Sequence, residues 1–132
     1  INVLIGTRWL QEQLARYEGR DEGMPVAVVI GLHPLVMLAS QIAFEGFPQD
    51  KFEVASALLG QPLDLVPCDT NDLTVPAHAE VVLEGQIVPN LRLPEGPFGE
   101  LGKYYGERKA WPVMEISTVT MREDWVFQVI LP

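Results

Sequence analysis

Residues 65–87 read LVPCDTNDLTVPAHAEVVLEGQI, and the hydrophobic pattern of the chain changes in this stretch. Before it the apolar residues recur at helical spacing, whereas within it they form short β-branched runs separated by turn-forming residues. Residues 63–66, 79–85 and 86–88 are therefore predicted to be separate strands, with a turn at CDTND. An antiparallel β half of the fold is expected to begin here.

The residues before this stretch predict helices around one buried strand. Residues 8–18 place apolar side chains on one stripe and are followed by Gly19 as a C-cap. PVAVVIG, residues 25–31, reads as a strand, HPLVMLASQIAF as a helix with Pro34 at its first position, and residues 50–60 as a helix that ends in glycine.

After the quoted stretch, residues 112–121 and 125–131 again read as strands. Helical material followed by an antiparallel β half predicts an α+β fold with a small β-barrel or sandwich. We find no linker or repeat, so residues 1–132 are expected to form a single domain.

The composition limits the class of protein. The chain has 132 residues, 48% of them hydrophobic, which is enough for one core. Eighteen acidic residues against nine basic ones give a formal charge of −9, and the acids are scattered along the chain. This pattern argues against a nucleic-acid surface and favours a small ligand.

Cysteine use and hydropathy give expectations about the surroundings of the protein. Cys68 is the only cysteine, so no intrachain disulfide is expected and a cytoplasmic location fits. No apolar run reaches about 18 residues, so no membrane span is predicted. The chain begins at Ile1 and ends at Pro132, both within apolar runs, which favours a piece of a longer protein.

The segment PEGPFGELGKYYG, residues 94–106, places Glu95 and Glu100 around a Gly-Pro core. Proline and glycine exclude a helix interior, so a structured loop is predicted, anchored by burial of Phe98. Two carboxylates held close together have pKa values that move apart and can divide acid and base roles. The alternative is that both are solvated loop acids.

Other potentially reactive residues form no recognisable site. His33 and His78 are too few for a metal site and lie in unrelated contexts, with His33 expected at a helix start. Cys68 is expected to be a structural thiol. No glycine-rich phosphate-binding motif is present in the sequence.

Several of these stretches together resemble the central region of the UbiD-type decarboxylases, which use prenylated FMN to remove or add carboxylate on aromatic and α,β-unsaturated acids. CDTNDL with VPA close behind, AEVVLEG, and EGPFGE with a Tyr-Tyr-Gly tail occur in the family's order. MPVAVVIGLHPLVMLAS and ASALLGQPLDLV are similar to the family's preceding segments, so the resemblance extends from Met24 onward.

The resemblance implies a split β-barrel similar to FMN-binding flavin reductases, with flanking helices. It also implies that Glu95 is the carboxylate tied to an active-site arginine and that Glu100 is the proton donor. That arginine belongs upstream of Ile1 in the family, as does an asparagine that helps to hold a metal beside the flavin phosphate.

Cofactor-binding positions implied by the resemblance are Thr7, Arg8, Ser40 and Lys51. Lys51 stands where the family has a metal-ligand glutamate, and Arg8 falls near the position of a metal-ligand histidine, so use of a divalent metal such as manganese is in doubt. Two cations at these positions could bind the flavin phosphate directly. The alternative is that both are surface residues of a divergent member.

The resemblance thus implies an enzyme, a reversible non-oxidative decarboxylase, of which this chain alone would be inactive. Its expected partners are a carboxylic acid substrate, a flavin prenyltransferase that supplies the cofactor, and further copies bound through a C-terminal domain outside this chain. Two other readings stay open: a non-catalytic accessory subunit, favoured by Lys51, and a redox module that binds ordinary FMN, which would leave Glu95 and Glu100 unexplained.

Overall fold

The computed structural model describes residues 7–42, 50–99 and 102–128. This part of the chain is an α+β fold with antiparallel strands, as the sequence predicts. Its elements, in chain order, are α1 (Arg8–Glu18), β1 (Met24–Ile30), α2 (Pro34–Gln41), α3 (Lys51–Leu59), β2 (Leu65–Pro67), β3 (Thr74–Pro76), β4 (Val81–Glu95) and β5 (Lys109–Met121).

Side-chain caps fix where the helices begin and end. The Oγ1 atom of Thr7 accepts a hydrogen bond from the amide of Leu10 at 3.3 Å and starts α1. His33 starts α2 in the same way, which confirms its predicted place at a helix start. Asp50 caps α3, and Gly60 ends it with φ of 71°, a left-handed conformation that glycine adopts without strain.

β4 is the central strand of the larger sheet, whose order is β1–β4–β5. Met24 of β1 lies opposite Ile87 of β4, and Met114 of β5 lies opposite the same isoleucine. A second, two-stranded sheet joins β2 to β3 around residues 68–73. β4 therefore has a partner strand on each side, and its side chains alternate between the two faces of the sheet.

The two faces of the sheet carry different cores. On one face, Leu14 of α1 packs against Met24, Ile87 and Met114. On the other face, Val82 packs with Val75 and Ala79, and Leu32 links this cluster to the α2–α3 pair. α1 and the β2–β3 hairpin therefore lie on opposite faces of the same sheet.

Three strand predictions need correction. The predicted break between residues 85 and 86 is wrong, because β4 runs through Gly85 with an irregularity in its pairing to β5 instead of a turn. β3 was not predicted, since it has only three residues and one of them is proline. Residues 125–128 form no strand, and the rest of the predicted strand 125–131 lies outside the described residues.

No helix of the described residues is long and apolar enough to cross a membrane.

Gly85 gives a test of the β4–β5 pairing. A Cβ added there would overlap the carbonyl oxygen of Glu115, a backbone atom that cannot move without breaking the ladder. Gly85→Ala should therefore lower the free energy of unfolding by about 3 kcal/mol, as overpacking does in cores. Urea denaturation of the parent chain and the variant measures the difference.

Gly99→Ala is the matched control, because a Cβ at Gly99 would meet no atom within 4 Å. Its free energy of unfolding should stay close to that of the parent chain. Equal losses in the two variants would show that contact with Glu115 is not the cause.

Candidate functional site

Glu95 is the last residue of β4, opposite Lys109 of β5, and it is half-buried. The chain beyond it is a loop closed by a bridge between Gly99 and Tyr105 and by a hydrogen bond from the amide of Gly106 to the carbonyl of Phe98, at 2.8 Å. The prediction of a structured loop is thus confirmed for its described part. Glu100, the predicted proton donor, lies outside the described residues.

The expected burial of Phe98 is wrong. Its side chain is 58% exposed, and Tyr104 and Tyr105 on the same loop are also exposed. The loop extends beyond the last paired residues of β4 and β5, so it lies away from both cores of the sheet. In the described part of the loop, the Gly99–Tyr105 bridge and the hydrogen bond from Gly106 to Phe98 take the place of the expected aromatic anchor.

Ser40 and Lys51 line one cavity of about 790 Å³. Its wall is mostly apolar and comes from four elements: β1 (Ala27, Val29), α2 (Val36, Met37, Ser40, Gln41), α3 (Lys51, Phe52) and β3 (Thr74, Val75, Pro76), with Leu32 and Leu73 from the connections. Lys51 is the first residue of α3, at the end of the helix whose dipole favours an anion, although the Asp50 carboxylate already accepts the amide of Phe52 there at 2.8 Å. The cavity therefore combines an apolar wall with one cationic side chain, Lys51.

The other two predicted cofactor-binding residues lie elsewhere in the described structure. Thr7 caps α1, and Arg8 pairs with Glu12 at 2.9 Å with its side chain 93% exposed. Since α1 packs on the face of the sheet opposite the β2–β3 hairpin, the structure brings Ser40 and Lys51 together but not all four residues.

Glu84, the fourth residue of β4, is a buried carboxylate with 2% exposure. It accepts hydrogen bonds from the amides of Asp69 and Thr70, at 2.9 and 2.8 Å, and from the hydroxyl of Thr70 at 2.6 Å. The Thr70 hydroxyl first, and then the Asp69 amide, hold the pKa of Glu84 below its usual value, against the effect of burial. An ionised carboxylate therefore ties the CDTND turn to the central strand.

This turn leads into the segment that forms one wall of the cavity. Cys68 donates its amide proton to the carbonyl of Leu73 at 2.8 Å, and the Asn71 side chain accepts from the amide of Leu73 at 2.9 Å. The turn leads directly to Leu73 and Thr74, which line the cavity. Burial, and then the charge of Glu84, raise the pKa of the Cys68 thiol, which fits a structural thiol and not a nucleophile.

Glu84 was not predicted as a functional residue from the sequence, although a signal was present. Alternation along the strand places position 84 on the same face as the buried Val82, so a glutamate there has to be hydrogen-bonded.

The sequence suggested that the two histidines lie in unrelated contexts, and this is wrong. Both line a cavity of about 290 Å³ together with Asp64, and His78 Nε2 lies 3.5 Å from the Asp64 carboxylate. Tertiary folding brings them together, which their spacing in sequence could not show. Nevertheless, the described residues contain no group of three or more His, Cys, Asp or Glu side chains placed to hold a metal ion.

Comparison with known proteins gives consistent matches. Residues 2–132 match the family described as UbiD, the 3-octaprenyl-4-hydroxybenzoate carboxy-lyase Rift-related domain. A phenolic acid decarboxylase of Sedimentibacter hydroxybenzoicus is 41% identical over 119 residues, which are 88% of this chain and 24% of that protein.

Solved structures extend these matches to the fold. The UbiD-class enzyme HmfF of Pelotomaculum thermopropionicum, in an evolved dimeric form in complex with prFMN, superposes with a TM-score of 0.92 at 45% identity. The match covers 99% of this chain and 30% of that one. The same enzyme in complex with FMN superposes equally well, with a TM-score of 0.92. The chain thus spans about a quarter to a third of the length of these relatives.

Replacing the buried carboxylate tests its role. Glu84→Gln keeps the shape but loses the charge and turns an NH₂ group toward backbone donors, so the free energy of unfolding at neutral pH should fall by about 3 kcal/mol. Urea denaturation checks this value. Glu115→Gln, an exposed residue on the neighbouring strand, is the control and should change it by less than about 0.5 kcal/mol.

The stability difference between the parent chain and Glu84→Gln should depend on pH in a defined direction. The folded chain holds the pKa of Glu84 below its ordinary value of 4.5, so the stabilisation is complete above that pH and is lost as pH falls through the lowered pKa. The difference between parent chain and Glu84→Gln should therefore shrink in acid. A difference that is constant from neutral pH to acid would contradict an ionised Glu84.

Proposed function

This chain belongs to the UbiD family, and we propose that it is the flavin-binding part of a longer decarboxylase that acts on aromatic or α,β-unsaturated carboxylic acids with prenylated FMN. The observation that carries the proposal is the match over 99% of the chain to an enzyme solved in complex with prFMN. The split-barrel topology that the family resemblance implies is part of this proposal.

The cavity lined by Ser40 and Lys51 fits such a cofactor. Its volume of about 790 Å³ lies in the range of small-molecule and cofactor sites, and its apolar wall suits a flavin ring. Lys51 at the start of α3 suits a phosphate group, with Ser40 as a further polar neighbour. When bound, prenylated FMN supplies a sink for the electron pair left by the departing CO₂.

We propose that the chain itself supplies the acid–base groups, Glu95 at the end of β4 and Glu100 five residues later in the sequence. We propose that Glu100 delivers the proton to the carbon that has lost its carboxylate, and that Glu95 pairs with an arginine from outside this chain. Glu95 sits where an ordered strand passes into a closed loop, so its backbone is held on both sides. Such holding suits an ion pair with an arginine, since the two charged groups have to meet within hydrogen-bonding distance.

The charge at Lys51 bears on the use of metal. We propose that Lys51 contacts the flavin phosphate directly and takes over part of the electrostatic role of a divalent cation such as manganese. Arg8, in contrast, is paired with Glu12 and exposed, and the described geometry gives no contact that supports the same role for it.

Lys51 also favours the second candidate function, a UbiD-like accessory subunit that has lost cofactor binding. In that case the loop at residues 94–106 is retained without chemistry. The supply of cofactor by a flavin prenyltransferase and assembly into homo-oligomers through a further domain belong to the enzyme proposal, whereas a cytoplasmic location is proposed for either function.

The deciding experiment is to purify the longer protein after expression with and without a flavin prenyltransferase and to identify the bound small molecule by absorption and mass spectrometry. We expect prenylated FMN with the transferase, retained after chelation of divalent metal. Flavin-free protein under both conditions would contradict the enzyme proposal and support the accessory subunit.

Two variants refine this test. Lys51→Met removes the charge from the cavity and should lower the retained flavin about tenfold or more, as expected for loss of a charged hydrogen bond. Arg16→Met also removes one positive charge, from the exposed side of α1, and should leave the flavin content unchanged. Equal retention in both would exclude Lys51 from phosphate binding.

The proton-donor role of Glu100 is tested by Glu100→Gln in the longer protein. The amide keeps the shape but has no dissociable proton, so kcat should fall by roughly two to four decades while flavin stays bound. Steady-state kinetics with a parallel flavin measurement give both values. Near-normal kcat at full flavin content would remove Glu100 from the mechanism.

A further inference from the structure

β4 is irregular just before it reaches Glu95. Its pairing with β5 shifts between Ile87 and Arg92, and within this interval Asn90 has φ of 56°, which is unusual for a residue other than glycine. Pairing then resumes at Arg92 and continues to Glu95. The register in which β4 resumes therefore decides where Glu95 is presented.

The backbone ladder alone holds this end of the sheet weakly. Pro89 lies in the shifted interval, Pro94 lies next to Glu95, and Pro112 of β5 is the partner of Arg92. Proline has no N–H to donate, so each of these positions removes a possible ladder hydrogen bond. Some other contact has to fix the register.

The carboxylate of Glu18, the last residue of α1, makes that contact. Its Oε1 atom accepts from the amide of Asn90 at 3.1 Å and from Nη1 of Arg92 at 2.8 Å. The same Nη1 atom also donates to the carbonyl of Leu91 at 3.1 Å. One oxygen thus receives a backbone donor from inside the irregular interval and a charged donor from the residue at which pairing resumes.

The Glu18–Arg92 ion pair is better shielded from solvent than the Arg8–Glu12 ion pair within α1. The side chains of Arg92 and Glu18 are 34% and 17% exposed, whereas those of Arg8 and Glu12 are 93% and 51% exposed. The hydrogen bond from Arg92 holds the pKa of Glu18 below its usual value, so the carboxylate is ionised at neutral pH. A shielded, charge-assisted contact of this kind is stronger and more directional than an exposed pair.

The segment of β4 around Arg92 lies at the surface. The residues on either side of Arg92 are exposed, and Glu18 and Arg92 line a surface cavity of about 260 Å³ together with Trp111, Pro112 and residues of α1. α1 itself is fixed by the burial of Leu14, so the pair joins an exposed segment to an element anchored in the core.

We propose that Glu18 and Arg92 are positioning residues for the decarboxylation: they transmit the fixed position of α1 to the end of β4 and so set where Glu95 is presented. The inference rests on the proposed function for its catalytic part only. The local part, that Glu18 holds residues 88–95 in register, stands on the geometry alone.

The test uses the longer protein loaded with flavin and the variants Glu18→Gln, Arg92→Lys and the two combined. In Glu18→Gln, peptides from residues 88–99 should exchange amide hydrogen for deuterium at least tenfold faster. Since misplacement by about 1 Å can cost a hundredfold in rate, kcat should fall about tenfold to a hundredfold with KM and flavin content little changed. Arg92→Lys should give a smaller loss, and the combined variant less than the product of the two.

Glu22→Gln is the matched control, because Glu22 forms an equally short ion pair with Arg20, at 2.7 Å, but on the exposed surface. It should change neither exchange nor kcat. Unchanged exchange of residues 88–99 in Glu18→Gln would overturn the proposal, as would faster exchange with a normal kcat in an active enzyme. A kcat loss accompanied by equal loss of flavin or of folded protein would show a merely structural role and would also overturn it.

Failure of the proposed function gives a different pattern. If the longer protein binds flavin but converts no aromatic or α,β-unsaturated acid, the decarboxylase proposal fails. Faster exchange confined to residues 88–99 in Glu18→Gln would then still support the local part, and unchanged exchange would still overturn it.

Discussion

The burial of Glu84 is the constraint on which the described fold depends. A charged carboxylate in the central strand of a sheet would be strongly destabilising if it were left unpaired, and here it is satisfied by two backbone amides and a hydroxyl from one turn. The turn therefore has to dock against β4 whenever the sheet forms. Docking brings β3 and its cavity-lining residues onto that face, so a polar contact decides the arrangement of an otherwise apolar core.

The same device recurs along β4. Glu18 accepts a hydrogen bond from the Asn90 amide in the irregular interval of β4. Glu80, just before the strand, accepts one from the amide of Val126 at 2.9 Å. In each case a glutamate fixes a segment that has no regular ladder of its own. Part of the acidic excess of this chain is thus structural, and its net charge of −9 says little about the ligand. The charge that bears on the proposed flavin phosphate is local, at Lys51.

The sequence predicted best those features that depend on neighbouring residues. α1 begins after Thr7 and ends before Gly19, because capping and periodicity are local properties. Gly85 misled the prediction, since glycine is common both in turns and at irregular strand positions, and only the partner strand decides between them. The exposure of Phe98 and the meeting of His33 with His78 depend on tertiary structure. The cavity could not be predicted either, because its wall comes from four elements of the fold.

The distribution of the candidate site over the fold has a mechanical consequence. The cavity proposed for the flavin is bounded by the hairpin that Glu84 holds, whereas Glu95 is presented by the end of β4 that Glu18 holds. Both carboxylate contacts meet β4, one in its first third at Glu84 and one toward its far end at Asn90 and Arg92. In the proposed enzyme, the position of the acid–base loop relative to the cavity therefore depends on the stiffness of this one strand. Among the strands that the structure describes, β4 has a partner on either side where Glu84 lies and is paired with β5 alone where Glu95 lies. Because catalytic groups have to be held to within about 0.5 Å, the single-partner end of β4 is where additional fixation is required.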